Sequence, residues 1–525
     1  MKEPEVRANN KPVKTSVSAI LVMLCTLISR ILGFVKIAVI GAFFGATGEA
    51  DVLNSVFSIP NNLRKLMAEG ALSSAFIPVL TESLIKEKDN SVSKTIARNI
   101  LAFQVIIIVP ACILSIIFAD FLINKVLLEF SDPYLSSLAV DLFRWFISYL
   151  LLISISAAIM AVLNSLGYFF IPAITPILFS ITVISGIVFF HKYIGIFSMV
   201  IGVLSGGLLQ IIFQLPVYFR EGYDLKLNFN FKNNYFKRIM KNWFPVVATA
   251  SIFAINSQIA VRFASGLETG SSSALSYAIV FWQFPFGIFS ASITTVLFPK
   301  MSRLAASDKT KELLETVNTG IIHLYSLLLP SGIFIFVMGN ELISIAMMRG
   351  SFNAENTYLT AFVLKGYAAG IFATGFFNFL QRFYYSVHNY KTPFIFSAIV
   401  CIIDIILSII LKQTSLRVCG LAVANTIAFS AGTILLFIDI KRSYALYNLK
   451  ILFAGLGKIT LAAVVPSVIM IFFGIYYGNL WTAGLNIKLL VYFLVTALVF
   501  AATVLFFYKL LKVDFIFFIR KRNEK

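Results

Sequence analysis

Apolar runs of about twenty residues, separated by short polar links, recur along the chain from residue 17 to residue 511. At 1.5 Å per residue such a run crosses the ~30 Å hydrocarbon layer of a bilayer as one helix. The pattern therefore predicts about fourteen transmembrane helices. Six fall at 17–44, 51–80, 96–121, 136–163, 171–190 and 195–219, and six more at 239–263, 272–298, 316–338, 357–386, 393–411 and 417–440. A last pair lies at 452–476 and 488–511. The expected fold is an all-α polytopic membrane protein: an N-terminal tail at 1–16, a six-helix lobe at 17–219 and a second at 220–440 that includes the basic link before it. A helix pair at 441–511 and a basic tail at 512–525 complete the chain.

Composition supports this reading. Of 525 residues, 59% are hydrophobic and 13% charged, and the mean hydropathy is +0.89. No soluble core needs that much apolar surface. The formal charge of +19 would suggest nucleic acid in a soluble chain, but here the basic residues alternate between links. Most lysines and arginines sit in the N-terminal tail, 81–98, 220–241, 299–312, 441–450 and 509–525, and few sit in the links between them. That asymmetry places both termini in the cytoplasm, requires an even number of spans and excludes nucleic acid as a partner. Cys25, Cys112, Cys401 and Cys419 lie in apolar runs without paired spacing and read as buried free thiols. His191, His323 and His388 are scattered and form no metal-ligand set. The apolar run after Lys14 is too long for a cleavable signal.

Charges inside the predicted spans carry the functional signal, because each costs about 2.5–3.5 kcal/mol at the bilayer centre. Two adjacent spans within Ser29–Glu82 hold Arg30, Lys36, Asp51, Arg64, Lys65 and Glu69. The cations there are expected to line a water-filled cavity and hold a phosphate or diphosphate: arginine offers a rigid bidentate fork and lysine a mobile point charge. Gly33, between Arg30 and Lys36, would permit close helix approach or a bend. Pro60 is expected to kink the second span. Lys65 and Glu69, about one turn apart, could pair as a structural salt bridge. Asp51 either caps its own helix or acts as a gate. Arg262 closes span seven as an interface anchor. Asp404 stands mid-span with no base within two turns, so it is either protonated or an ion ligand, with Asn425 or Thr426 of the next span as partners.

An internal echo is also visible. FIPVLTES at Phe76 matches FPKMSRLA at Phe298, and FSIPNN at Pro60 matches WQFPFG at Pro285. This predicts a duplicated six-helix bundle with parallel repeats, followed by the extra pair.

SRILGFVK, FFGA, IPNNLRKLMAEGALSSAFIPV, NSLGYFFIPAITPIL, FPFGIFSASITTVLFPKMS, RGSF and RFYYSVHNYKTP together resemble the MurJ (MviN) lipid II flippases of the MOP exporter superfamily. The resemblance covers nearly the whole chain. It implies two six-helix lobes plus a helix pair, and translocation of undecaprenyl-diphosphate-linked peptidoglycan precursor across the bacterial cytoplasmic membrane by alternating access. It implies a cationic cavity at Arg30, Lys36 and Arg64, with Arg262 as a further candidate, Asp51, Lys65, Glu69 and Gly33 as gate or structural positions, and a lipid-tail groove at 452–511. A cation site in the second lobe of some members implies Na⁺ at Asp404. Coupling to Na⁺, to H⁺ or to membrane potential stays open. Lipid II and membrane lipids are the implied partners of a monomer, alongside cell-wall synthesis proteins, and no cofactor is implied. The chain departs from the pattern where Lys36 and Ile37 replace Arg and Asp, where Tyr277–Val280 reads YAIV without its arginine, and where Val261 replaces the acid before Arg262.

The reading is a lipid II flippase, not an enzyme. The rivals are a flippase for another polyprenyl-linked oligosaccharide, or a multidrug exporter of the same superfamily. A membrane enzyme acting on polyprenyl phosphates would need a convergent set of catalytic groups that the spans lack.

Overall fold

Backbone amides cannot be left unpaired in hydrocarbon, so a chain of this composition must close its hydrogen bonds within helices or a barrel. The computed structural model describes residues 15–64, 71–87, 90–444, 447 and 449–513, and they are helical, with no strand among the described residues. The first helices are α1 (Thr15–Phe44), α2 (Gly48–Arg64), α3 (Ala71–Lys86), α4 (Ser91–Ile117), α5 (Pro133–Phe146), α6 (Tyr149–Ser165), α7 (Phe170–Ile194) and α8 (Ser198–Arg220). There follow α9 (Asn234–Ser265), α10 (Ser271–Ala306), α11 (Thr310–Val337), the short α12 (Gly339–Met347), α13 (Ala354–Ala368) and α14 (Ile371–Ser386). The chain ends with α15 (Lys391–Leu411), α16 (Arg417–Ser443), α17 (Leu449–Tyr477) and α18 (Ile487–Leu510).

By length and composition, 11 helical segments among the described residues could cross a membrane, or 12 if the bent pair α13–α14 is one span. The expected fourteen exceeds this for two reasons. Phe170–Arg220 counts as one segment although it holds both α7 and α8, joined by a single turn of 3₁₀ helix at Gly195–Phe197. The second predicted span, 51–80, is divided between α2 and α3, which flank residues outside the described set.

The chain divides into two compact units: one comprises 1–39, 59–119 and 141–250, the other 40–58, 120–140 and 251–525. The core of the first is built by Phe76 and Leu80 of α3, Ile100 of α4, Ile159 and Leu163 of α6 and Ile239 of α9, all fully buried. Helices α7 and α8 approach backbone to backbone: a Cβ on Gly186 would lie 2.7 Å from the Cα of Gly202. Only small residues permit that approach, which in a membrane replaces the hydrophobic drive as the source of helix association. The segment 221–233 is clamped to α4, where Arg98 donates to both carboxylate oxygens of Asp224 at 2.7 and 2.5 Å and Asn99 donates to the carbonyls of Asn228 and Asn230, each at 2.9 Å.

In the second unit, Val317, Ile321 and Leu324 of α11 pack on Phe377, Phe379 and Phe383 of α14, and a further cluster joins Met338, Ile459, Met470, Leu489 and Phe500. The predicted span 357–386 is broken, with α13 and α14 meeting at 46°. The cause is on α16: the Thr426 hydroxyl donates to the Gly366 carbonyl at 2.8 Å, while the Gly370 amide turns instead to Tyr367 O at 3.2 Å. A Cβ on Gly370 would lie 2.5 Å from Thr426 Cγ2, so only glycine fits at the break. Pro60, by contrast, does not end its helix; α2 continues through it to Arg64. Pro285 and Pro299, the echo of Pro60 and Pro78, both lie in the single helix α10.

Candidate functional site

Within the first unit, α1 carries Arg30 and Lys36 and the last turn of α2 carries Arg64. Arg30 is exposed, while Lys36 and Arg64 are half-buried. The Lys36 ammonium stands 5.3 Å from the centroid of the Phe179 ring, within cation–π range. Phe179 in turn stacks on Tyr149, with centroids 5.3 Å apart and planes at 30°. Arg64 donates from Nε to Asn61 Oδ1 at 3.2 Å and lies within electrostatic range of both Tyr149 and Lys36. Two cations within electrostatic range of each other repel, so an anion between them would be favoured. Gly33 does not serve close packing: a Cβ there would meet no atom within 4 Å, and α1 runs through it unbroken. Lys65 and Glu69 lie outside the described residues.

In the second unit, Asp51 caps a helix other than its own. It is 4% exposed, and its carboxylate accepts from the backbone N–H of Gly270 at 2.6 Å and of Ser273 at 2.7 Å, at the start of α10. Its own helix is capped by the Thr47 hydroxyl, which accepts from Ala50 N at 3.3 Å. Around it Asn54 donates to Ser273 Oγ at 3.2 Å, Tyr277 donates to Gly45 O at 2.9 Å and Ser351 N donates to Ala42 O at 2.8 Å. Gly45 and Gly350 adopt φ of +67° and +57° where the two turns touch: a Cβ on Gly350 would strike the Ala42 carbonyl. Residues 42–54 are thus clasped to the start of α10 and to the Arg349–Phe352 turn.

Arg262 is committed to the protein itself. Its Nε donates to Glu129 Oε1 at 2.9 Å and its Nη1 to Val126 O at 2.7 Å, while Lys412 approaches the other Glu129 oxygen at 3.9 Å. Glu129 gave no signal in the sequence, since it lies in a link far from α9. Asp404 is 5% exposed and is surrounded by amides: Asn256 and Asn425 each donate to Oδ2 at 2.7 Å, and Ser408 donates to Oδ1 at 3.4 Å. Asn425 is the expected partner, but Thr426 is engaged at the helix break and Asn256 of α9 takes its place. Among the described residues no cluster of three His, Cys, Asp or Glu could hold a metal. In this arrangement both amides and the hydroxyl point donors at Asp404, so its carboxylate is held by hydrogen bonds, and an ion there would require the two amides to turn their oxygens inward.

A helical chain with most of its described helices apolar enough to cross a membrane, and with cations and a buried carboxylate placed on those helices, is a polytopic membrane protein, and its fold is that of the MOP superfamily. A solved inward-facing multidrug resistance MATE family transporter of the MOP superfamily shares that fold, with a TM-score of 0.66 at 15% identity over 82% of this chain and 98% of that one. The family model for lipid II flippase MurJ matches residues 40–492, and the chain belongs to that family. The probable lipid II flippase MurJ of Borreliella burgdorferi is 36% identical over 94% of this chain and 96% of that protein. Its counterpart in Vibrio cholerae is 30% identical over 80% and 82%. A solved lipid II flippase MurJ in an inward closed conformation superposes with a TM-score of 0.77 at 28% identity, covering 93% of this chain and 99% of that one.

Proposed function

We propose that this chain is a lipid II flippase in which Lys36 and Arg64, with Arg30 of α1 as a third candidate, hold the diphosphate of the lipid during alternating access. It is a transporter rather than an enzyme. The observation that carries the site assignment is the pairing of Lys36 and Arg64 in one unit, against neutral aromatic rings. A diphosphate between them would relieve their repulsion and accept from the arginine fork. The basic links support an orientation with both termini in the cytoplasm.

The test uses purified protein in proteoliposomes containing fluorescent lipid II. Lys36→Ala and Arg64→Ala are each expected to reduce flipping at least tenfold, the loss of ~1.5–3 kcal/mol that a hydrogen bond to a charged group contributes. Wild-type flipping in both variants would refute the assignment.

The amide-lined carboxylate of Asp404 supports a second reading, monovalent cation coupling. Under it, NaCl in place of choline chloride raises the thermal midpoint of the wild type and leaves Asp404→Asn unmoved. Equal shifts in both proteins would exclude Na⁺ there and leave H⁺ or membrane potential.

A further inference from the structure

We infer that Phe179 and Tyr149 are positioning residues, a two-ring platform that sets where the Lys36 and Arg64 cations meet the diphosphate. This deepens the assignment above and rests on it. Lysine has four rotatable carbons and no directional fork, so a lysine at a binding site needs something to hold it. The residue after Lys36 is Ile37, so no adjacent acid pairs with it in sequence. A carboxylate partner would restrain the ammonium but also neutralise it. The Phe179 ring, 5.3 Å away, restrains it without bringing a charge.

The platform is itself fixed. Phe179 is 9% exposed and Tyr149 2%, and the two rings stack. Both rest on the consecutive glycines of α8: a Cβ on Gly206 would lie 2.9 Å from Phe179 Cδ2, and one on Gly207 3.0 Å from Tyr149 Cδ2. The Gly206–Gly207 pair is therefore a seat cut to the thickness of the two rings. The stack meets Lys36 directly, and its far ring, Tyr149, lies within electrostatic range of Arg64.

The experiment varies the ring's negative face and leaves its volume almost unchanged. Phenylalanine at 179 is replaced by mono-, di- and trifluorophenylalanine through stop-codon suppression, and flipping is followed against lipid II density in proteoliposomes. The half-saturating lipid II density is expected to rise stepwise with fluorination, by ~3–10-fold at three fluorines, with the maximal rate within twofold. In a Lys36→Met background the fluorine series is expected to be flat. A flat series in the Lys36 protein, or an equal slope in Lys36→Met, would overturn the positioning role while the diphosphate assignment stands. Wild-type affinity in unfluorinated Lys36→Met would overturn both.

Discussion

Removing the Asp51 carboxylate separates the two roles its position allows, a static cap and a gate. In Asp51→Ala, two backbone amides at the start of α10 lose acceptors at 2.6 and 2.7 Å in a site that is 4% exposed. Hydrogen bonds to a charged group contribute ~1.5–3 kcal/mol each, and water entering the vacated space recovers part of the loss. We expect a net cost of about 3 kcal/mol, which is on the order of a hundredfold in an equilibrium. Asp51→Asn retains one acceptor oxygen but turns an NH₂ toward the other amide, so its cost is about 2 kcal/mol. The readout is thiol labelling of Ala46→Cys in a background with the four native cysteines replaced. Ala46 is 5% exposed, and its carbonyl lies against Gly270, inside the clasp. On the gating reading the clasp opens during the transport cycle, and labelling of this cysteine should then accelerate by one to two orders of magnitude in the Asp51 variants. A lowered thermal midpoint with labelling within twofold of the parent would make Asp51 a cap only and refute the gating argument.

Three further predictions follow from contacts within single units. Arg98 holds the Asp224 carboxyl below its ordinary range, so the pair stabilises the fold above the ordinary carboxylate pKa, and that stability is lost as pH falls through the lower folded value. The thermal midpoint should therefore be flat from pH 7 to about 5 and drop in stronger acid, while Asp224→Asn lowers the stability at pH 7 by about 1 kcal/mol, a figure discounted for the partial exposure of the pair, and shows a shallower acid drop. Gly202→Ala would place a Cβ 2.7 Å from Val183 Cα and 2.9 Å from Thr182 O; backbone cannot yield as a side chain does, so a loss of ~1–3 kcal/mol is expected in detergent unfolding, and a change under 0.5 kcal/mol would refute the close packing of α7 on α8. Glu129→Gln removes the charge that Arg262 and Lys412 share and is expected to destabilise by about 1 kcal/mol, an effect that 0.5 M NaCl should shrink in the wild type and not in the variant.

The spans were legible because hydrocarbon leaves the backbone no alternative to a helix, so apolar length alone places them. The break at Gly370 was not, since its cause is the Thr426 hydroxyl more than fifty residues away, and nothing in FVLKGYAAGIFATG marks that partner. Asp51 shows the same limit. Its place at a helix start suggested a cap, and the residue does cap a helix, but the one it caps begins at Ser271. Asn425 could be picked from its span register, whereas Asn256 required knowing that α9 lies beside α15. Among the cations, span position identified Arg30, Lys36 and Arg64 as costly, but the rings that meet Lys36 are ordinary apolar residues of α6 and α7. Only packing distinguishes them from the chain's other phenylalanines and tyrosines.

Packing also divides the intramembrane and rim cations into two kinds. Arg262, Arg98 and Arg417 each meet a protein carboxylate, Glu129, Asp224 and Glu268 respectively. Their charge is neutralised within the fold, and an anionic ligand would have to compete with a fixed partner. Arg262 in particular would bind an anion only in competition with Glu129 and the Val126 carbonyl, to which its Nε and Nη1 already donate. Lys36 is of the other kind: a ring holds it in place, and among the described residues no carboxylate forms an ion pair with it. A site that must bind a diphosphate and then release it across the membrane favours this arrangement. An internal carboxylate would lower affinity throughout the cycle, whereas a neutral ring positions the ammonium and leaves the ligand as the group that neutralises it. On the proposed assignment Phe179 takes the restraining role that a carboxylate beside Lys36 would otherwise have.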